Sequence, residues 1–363
     1  MSRKLGISIY PDKSSLEEMK TYIEAASKYG FSRIFSCLLS VDKPKEAIKE
    51  EFLDVNTFAK ELGYEVIVDV SPRVFGALDI SYQDLSFFKE IKADGIRLDL
   101  GYTGSEESLM TFNPEDLLIE INMSNDTHYI DTVMDFKPNR FNLIGCHNFY
   151  PHNYAGLTLE HFLKTSQNFR NHGLRTAAFI SSQVKDAFGP WPTTEGLPTI
   201  EMHRNMPLDV QLKHMVSMDV VDDIIISNCY PSTKELEAVS KVHLDLLNFK
   251  VKLVDNIPDV EKTIVTDFLH FNRGDTNGYM ICSTQSRVKY KGHNFEVFNA
   301  PKYLKKGDLV IESSLYGHYA GEIQIVKQDM LNSGRTNVVG HIVSDEHFLI
   351  DSLKPWQKFR FTL

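Results

Sequence analysis

The sequence predicts a parallel (β/α)8 barrel followed by a small β-rich domain. Eight short, apolar, β-branched runs alternate with helical segments as far as Asn248, the pattern of a barrel. From about Val251 the rhythm changes to closely spaced strand-like runs separated by turn residues. No glycine-rich fingerprint follows the first strand, which disfavours a doubly wound open sheet. At 363 residues the chain exceeds what one core usually holds. The expected division is therefore a barrel over 1–248 and a C-terminal β domain over 255–363, with the boundary between 245 and 258.

The elements follow in order. Leu5–Tyr10 is an apolar run ended by Pro11 and reads as strand one. Ser14-Ser-Leu-Glu17 is a capping box, followed by Leu16, Met19, Ile23 and Ala26 at helical spacing and by Gly30 where a helix stops. Phe31–Leu39 is strand two, and Lys45–Leu62 is a helix stopped by Gly63. The remaining barrel strands are expected at Tyr64–Val70, Gly95–Gly101, Leu117–Asn122, Arg140–Cys146, Leu174–Ser181 and Asp223–Asn228. Helices are expected at Leu159–Asn171 and Pro207–Met218, and a last one over Ser232–Asn248 would close the barrel. In the second domain, Gly278–Cys282, Gly307–Ile311, Gly321–Val326 and Asn337–Val343 read as strands.

Charge and processing signals narrow the function. Thirty-nine basic against forty-nine acidic residues leave a net charge of −10, which argues against nucleic acid or an anionic membrane as partner. A small anionic ligand would need a local basic pocket instead. The N-terminus has basic residues but too short an apolar run for a signal peptide, and no run is long enough to span a bilayer. Cys37, Cys146, Cys229 and Cys282 have no C-x-x-C spacing. A cytoplasmic location with reduced thiols is expected; the sequence carries no signature of oligomeric state.

Barrel chemistry sits at the C-terminal ends of the strands. That rule selects Asp69 on strand three, Arg97 and Asp99 on strand four, Asn122 on strand five, His147, Asn148 and Tyr150 after strand six, and Asn228 after strand eight. Strand seven leads into a long stretch, Phe188–Arg204, rich in proline and glycine and without helical or strand period. Loops of that kind inside compact domains tend to be functional, and it carries Glu201, His203 and Arg204. Two or three carboxylates at one mouth suit glycoside hydrolysis, in which one carboxyl protonates the leaving oxygen and another acts as nucleophile, base or charge stabiliser. Asp69, Asp99 and Glu201 are the candidates. A simple ion pair with an arginine is the competing reading for Asp99, and a turn cap for Asp69. Glu120 lies deeper and is expected to pair with Arg97. His147 and His203 lack metal-ligand spacing, so polar substrate contacts or structural roles are expected and no metal is. Arg97, Arg204 and, in the second domain, Arg273 and Arg287 are candidates for holding a phosphate or carboxylate.

Several blocks together resemble a known family. Gly6-Ile-Ser-Ile-Tyr10-Pro11, Gly95-Ile-Arg-Leu-Asp99, His147-Asn-Phe-Tyr150-Pro151 and Gly196-Leu-Pro-Thr-Ile-Glu201-Met-His203-Arg204 are similar to the MupG family of bacterial 6-phospho-N-acetylmuramidases. So are Phe271-Asn-Arg273 with Ser283 and Arg287, and Gly307-Asp, Tyr316 and Gly321-Glu-Ile-Gln. The resemblance implies a TIM barrel with a cyclophilin-like domain and cytoplasmic cleavage of the β-1,4 bond of MurNAc-6-phosphate–GlcNAc in cell-wall recycling. Hydrolysis with two carboxylates needs no metal or organic cofactor, and none is expected. Members have also carried an outer-surface label, which the expected lack of a signal peptide disfavours. Glu201 is expected as general acid, its pKa raised by desolvation in an apolar loop, and Asp99, then Asp69, as nucleophile or stabiliser. The substrate's own acetamido group is the alternative nucleophile. The rival readings are a non-catalytic phosphosugar or peptidoglycan-fragment binding protein, and a phosphosugar isomerase or aldolase. No predicted strand ends in the lysine an aldolase needs.

Overall fold

A computed structural model describes residues 3–38 and 43–363. It divides into two compact units, residues 1–241 and 242–363.

In the first unit β1 (Lys4–Ile9), β2 (Phe31–Leu38), β3 (Glu65–Val70), β4 (Gly95–Leu98), β5 (Leu118–Asn122), β6 (Leu143–Cys146), β7 (Arg175–Ile180) and β8 (Asp223–Ile226) form a closed barrel in sequence order. Every pairing is parallel, including β1 with β8. The strands read as near-continuous apolar runs because both faces are covered, and Ile7, Ile34, Val66, Val68, Ile96 and Ile225 are fully buried. Most observed strands are shorter than expected because the terminal residues of each run lie in the connecting loops. Leu39 (the expected end of strand two) lies outside the described residues, as do Met1 and Ser2 of the N-terminal segment. The capping residue of the first helix, Leu16–Ser27, is Ser15, whose hydroxyl and backbone exchange bonds with Glu18.

The lower barrel interior holds charge. Arg33 is fully buried and bonds Asp223 and Glu120, while Arg175 bonds Glu65 and pairs with Asp223 at 2.5 Å. Glu120 therefore pairs with Arg33 from β2, not with Arg97 as expected from the sequence.

The closing helix spans only Thr233–Ser240. The end of the expected helix is instead a strand of the second unit, β9 (Leu247–Leu253). The other strands are β10 (His270–Phe271), β11 (Met280–Ser283), β12 (Tyr303–Leu304), β13 (Asp308–Glu312), β14 (Ile323–Val326), β15 (Met330–Leu331), β16 (Thr336–Ile342) and β17 (Lys358–Thr362). Seven of them form one mixed sheet in the order β10-β17-β9-β16-β13-β14-β11, in which only β9 and β17 run parallel. β12 and β15 form a separate pair. Phe249, Leu309, Ile311, Ile323, Ile325, Val339 and Phe359 build its core with Ile264 and Val265 of the helix Asp259–Asp267.

Candidate active site

The register of the barrel assembles the mouth. Asp69 on β3 and Arg97 on β4 are direct neighbours across the pair, and period-two alternation turns both inward. Arg97 Nη1 donates to Asp69 Oδ1 at 2.5 Å and to Asp99 Oδ1 at 3.5 Å, and Nη2 donates to Asn148 Oδ1. Both carboxylates touch one nitrogen, so their Oδ1 atoms lie at most about 6 Å apart, short of the ~6.5–9.5 Å of inverting pairs. A small cleft opens on this group, lined by Asp69, Arg97, Asp99, Asn148, Phe149 and Trp191.

The environments of the two carboxylates differ. Asp69 is buried, and desolvation pushes its pKa up to about 6 in spite of the opposing charge and hydrogen bond of Arg97, with the Asp99 charge raising it further. The Asp99 side chain is 44% exposed. One carboxyl that holds a proton into the weakly acidic range beside one open to solvent is the division of labour an acid–nucleophile pair requires.

Glu201 is differently placed. It opens a one-turn helix, Glu201–His203, and its two oxygens accept four hydrogen bonds. Oε1 takes Tyr154 N–H and Arg204 Nε; Oε2 takes Gly156 N–H and Arg204 Nη2, all at 2.7–2.8 Å. Arg204 Nη1 in turn donates to the carbonyls of Tyr150, Glu195 and Gly196. The pair clasps the loop after β6 to the loop after β7. Gly156 belongs to the clasp: a Cβ there would come within 2.6 Å of Glu201 Oε2. The Arg204 hydrogen bonds and the two backbone N–H groups hold the Glu201 carboxyl down at about 2, so the expected rise by desolvation is outweighed.

The remaining candidates divide in the same way. Asn148 joins the cleft and Asn122 stands next to it, donating to Asp99 O at 3.4 Å. Tyr150 is half-buried and its carbonyl serves the Arg204 clasp. His147 is buried between Ser124 and Ser166 and against the Phe162 ring, and desolvation lowers its pKa to about 3. His203 is buried with its Nε2 2.7 Å from His214 Nδ1, and burial likewise keeps it neutral. Asn228 bonds both backbone groups of Ser182 and so ties two loops together. Arg273 and Arg287 lie in the second unit, where both pair with buried Glu322, at 3.6 and 2.9 Å.

Sequence reasoning missed Phe149 and Trp191. Phe149 stacks edge-on against Phe35 and Phe179, and Trp191 presents a half-exposed indole to the cleft. Their signal was aromatic character on loops that follow strands, where a flat apolar face can carry a sugar ring. Among the described residues no group of three or more His, Cys, Asp or Glu is placed to hold a metal ion, and no helix is long and apolar enough to cross a membrane.

The class is thus a closed (β/α)8 barrel with an arginine-bridged carboxylate pair at its mouth. Sequence comparison defines the family. A family model described as 6-phospho-N-acetylmuramidase, N-terminal, matches residues 5–241, and its C-terminal counterpart matches residues 247–362. The chain belongs to the 6-phospho-N-acetylmuramidases, a family of glycosidases. Among solved structures it is similar to an uncharacterized Bacillus cereus protein, with 44% identity over the whole of both chains and a TM-score of 0.91. A conserved protein of unknown function from Enterococcus faecalis shares the fold, with 20% identity, a TM-score of 0.68 and coverage of 99% of this chain and 96% of that one. A comparison with curated proteins finds no match.

Proposed function

We propose that the protein hydrolyses the β-1,4 bond of MurNAc-6-phosphate–GlcNAc to MurNAc 6-phosphate and GlcNAc, as a cytoplasmic step in cell-wall recycling. Membership of the family over both halves of the chain supports the glycosidase class and a phosphorylated amino-sugar substrate. The observation that carries the mechanism is the Asp69–Arg97–Asp99 group.

Asp69 takes the acid role. Its carboxyl retains a proton to about pH 6 and delivers it to the leaving O4 of GlcNAc as the C1–O bond breaks. Asp99, on the open side of the same guanidinium, attacks C1 or holds the substrate's acetamido oxygen in place to do so; water then completes hydrolysis with Asp69 as base. Arg97 keeps the two carboxyls in register. Glu201 and Arg204 are positioning residues that fix the loops carrying Tyr150 and Trp191.

The test is incubation of the native protein with MurNAc-6-phosphate–GlcNAc and, separately, with the unphosphorylated disaccharide, with products separated by chromatography. Release of GlcNAc from the phosphorylated substrate, and much slower release from the other, is the expected result. Binding without release would favour a phosphosugar-binding protein; equal rates would remove the phosphate from recognition.

A further inference from the structure

A second cleft is also lined by Asp99, and we propose that it is the subsite for the uncharged N-acetylated leaving sugar. This rests on the hydrolase reading above and deepens it. The cleft is lined by Tyr102, Asn122, Asn125, Thr127 and Tyr129, among others, and shares Asp99 with the cleft that holds Asp69 and Arg97. Two clefts that meet at one reacting carboxylate match the two rings of a disaccharide whose glycosidic bond lies at the junction.

Their chemistry differs in the sense the substrate requires. Arg97, paired there with Asp69 and Asp99, is the one basic side chain lining either cleft, so the ring bearing phosphate and lactyl groups belongs in the first. The second has no basic side chain in its lining; apart from Asp99 its polar groups are carboxamides and hydroxyls. An anion there would meet a carboxylate and no counter-charge, whereas a neutral ring offers hydroxyls and an acetamide to those same groups.

The walls are fixed in advance. Buried Glu107 accepts from Tyr102 N–H, Gly104 N–H and Tyr129 Oη, binding the loop after β4 to the helix after β5. Gly101 is required for that approach, because a Cβ there would collide with the Tyr129 hydroxyl. In contrast, the Asn125 amide and the Tyr102 hydroxyl have no hydrogen-bond partner among the described residues, although both residues line the cleft. Asn125 is exposed and Tyr102 partly so, and these groups can exchange water for a ligand.

The experiment compares two substrates, MurNAc-6-phosphate–GlcNAc and the 4-methylumbelliferyl glycoside of MurNAc 6-phosphate, whose flat leaving group makes no acetamide or hydroxyl contacts. The Asn125→Ala and Tyr102→Phe variants are expected to lower the ratio of disaccharide to aryl kcat/KM by about tenfold together, the order expected for two lost hydrogen bonds. Free GlcNAc should inhibit the native protein and inhibit the double variant less. An unchanged ratio in folded variants, judged by native-like circular dichroism, overturns the subsite while leaving the hydrolase reading intact. Cleavage of neither substrate by the native protein overturns both.

Discussion

Replacing Glu201 with glutamine separates a clasp from a catalytic acid. In the structure its two oxygens accept four hydrogen bonds, two of them from Arg204, whose side chain is 3% exposed. In Glu201→Gln one oxygen becomes an NH2 that cannot accept, so two donors lose their partner and Arg204 is left with a neutral neighbour. At roughly 1 kcal/mol for a lost hydrogen bond, and somewhat more when the donor is charged, the cost is about 2–4 kcal/mol. For a unit of this size that lowers Tm by roughly 5–15 °C. The sign of the pH dependence is set by the carboxyl being held at about 2, below its ordinary 4.5. The clasp's contribution is fully present above pH 4.5 and is lost as pH falls toward 2, so the stability gap between native and variant closes over that range. Thermal melts at pH 7, 4 and 3 measure the gap. Turnover at 25 °C should fall less than about tenfold with an unshifted pH profile, whereas loss of a general acid typically costs ~10²–10⁴. An unchanged Tm together with a collapse of turnover of that order would refute the clasp and restore Glu201 as the acid.

Asp69→Asn should lower kcat by about 10²–10⁴, measured as GlcNAc release. In the native protein kcat/KM should decline as pH rises through about 6, because the folded state must keep the proton on Asp69; a flat profile from pH 5 to 8 would count against that role. Arg97→Gln removes the shared fork and its charge, and since both lower the Asp69 pKa, the declining limb should move to higher pH as activity falls. Trp191→Ala should raise KM by roughly tenfold with a smaller effect on kcat, the loss of one aromatic face of about 1–1.5 kcal/mol. Steady-state kinetics on the purified variants tests both.

Most of the barrel was legible in the sequence because each strand is buried on both faces and therefore appears as an unbroken apolar run between glycine and proline punctuation. The segment Ser232–Asn248 was misread because its leucine and valine spacing suits a helix. Its last residues form β9, stabilised by partners about a hundred residues away, β16 and β17, that no local pattern reveals. The strand-end rule selected Asp69, Arg97, Asp99 and Asn148 because alternation along a strand is local; the register that sets Asp69 beside Arg97 is not. Glu201 was conspicuous for its loop, but its role depends on the backbone of Tyr154 and Gly156 across a chain excursion of some 45 residues. The burial of His147 and His203 is likewise a tertiary fact: each imidazole looks like a ligand until its neighbours are known.

The proposed hydrolysis rests on a carboxylate pair held within about 6 Å through one arginine. Proton NMR of the first turnovers tests it directly, by following the anomeric signal of newly released MurNAc 6-phosphate before mutarotation. The β anomer should appear first, the outcome of double displacement by Asp99 or by the acetamido group. First appearance of the α anomer, or no release at all, would contradict it.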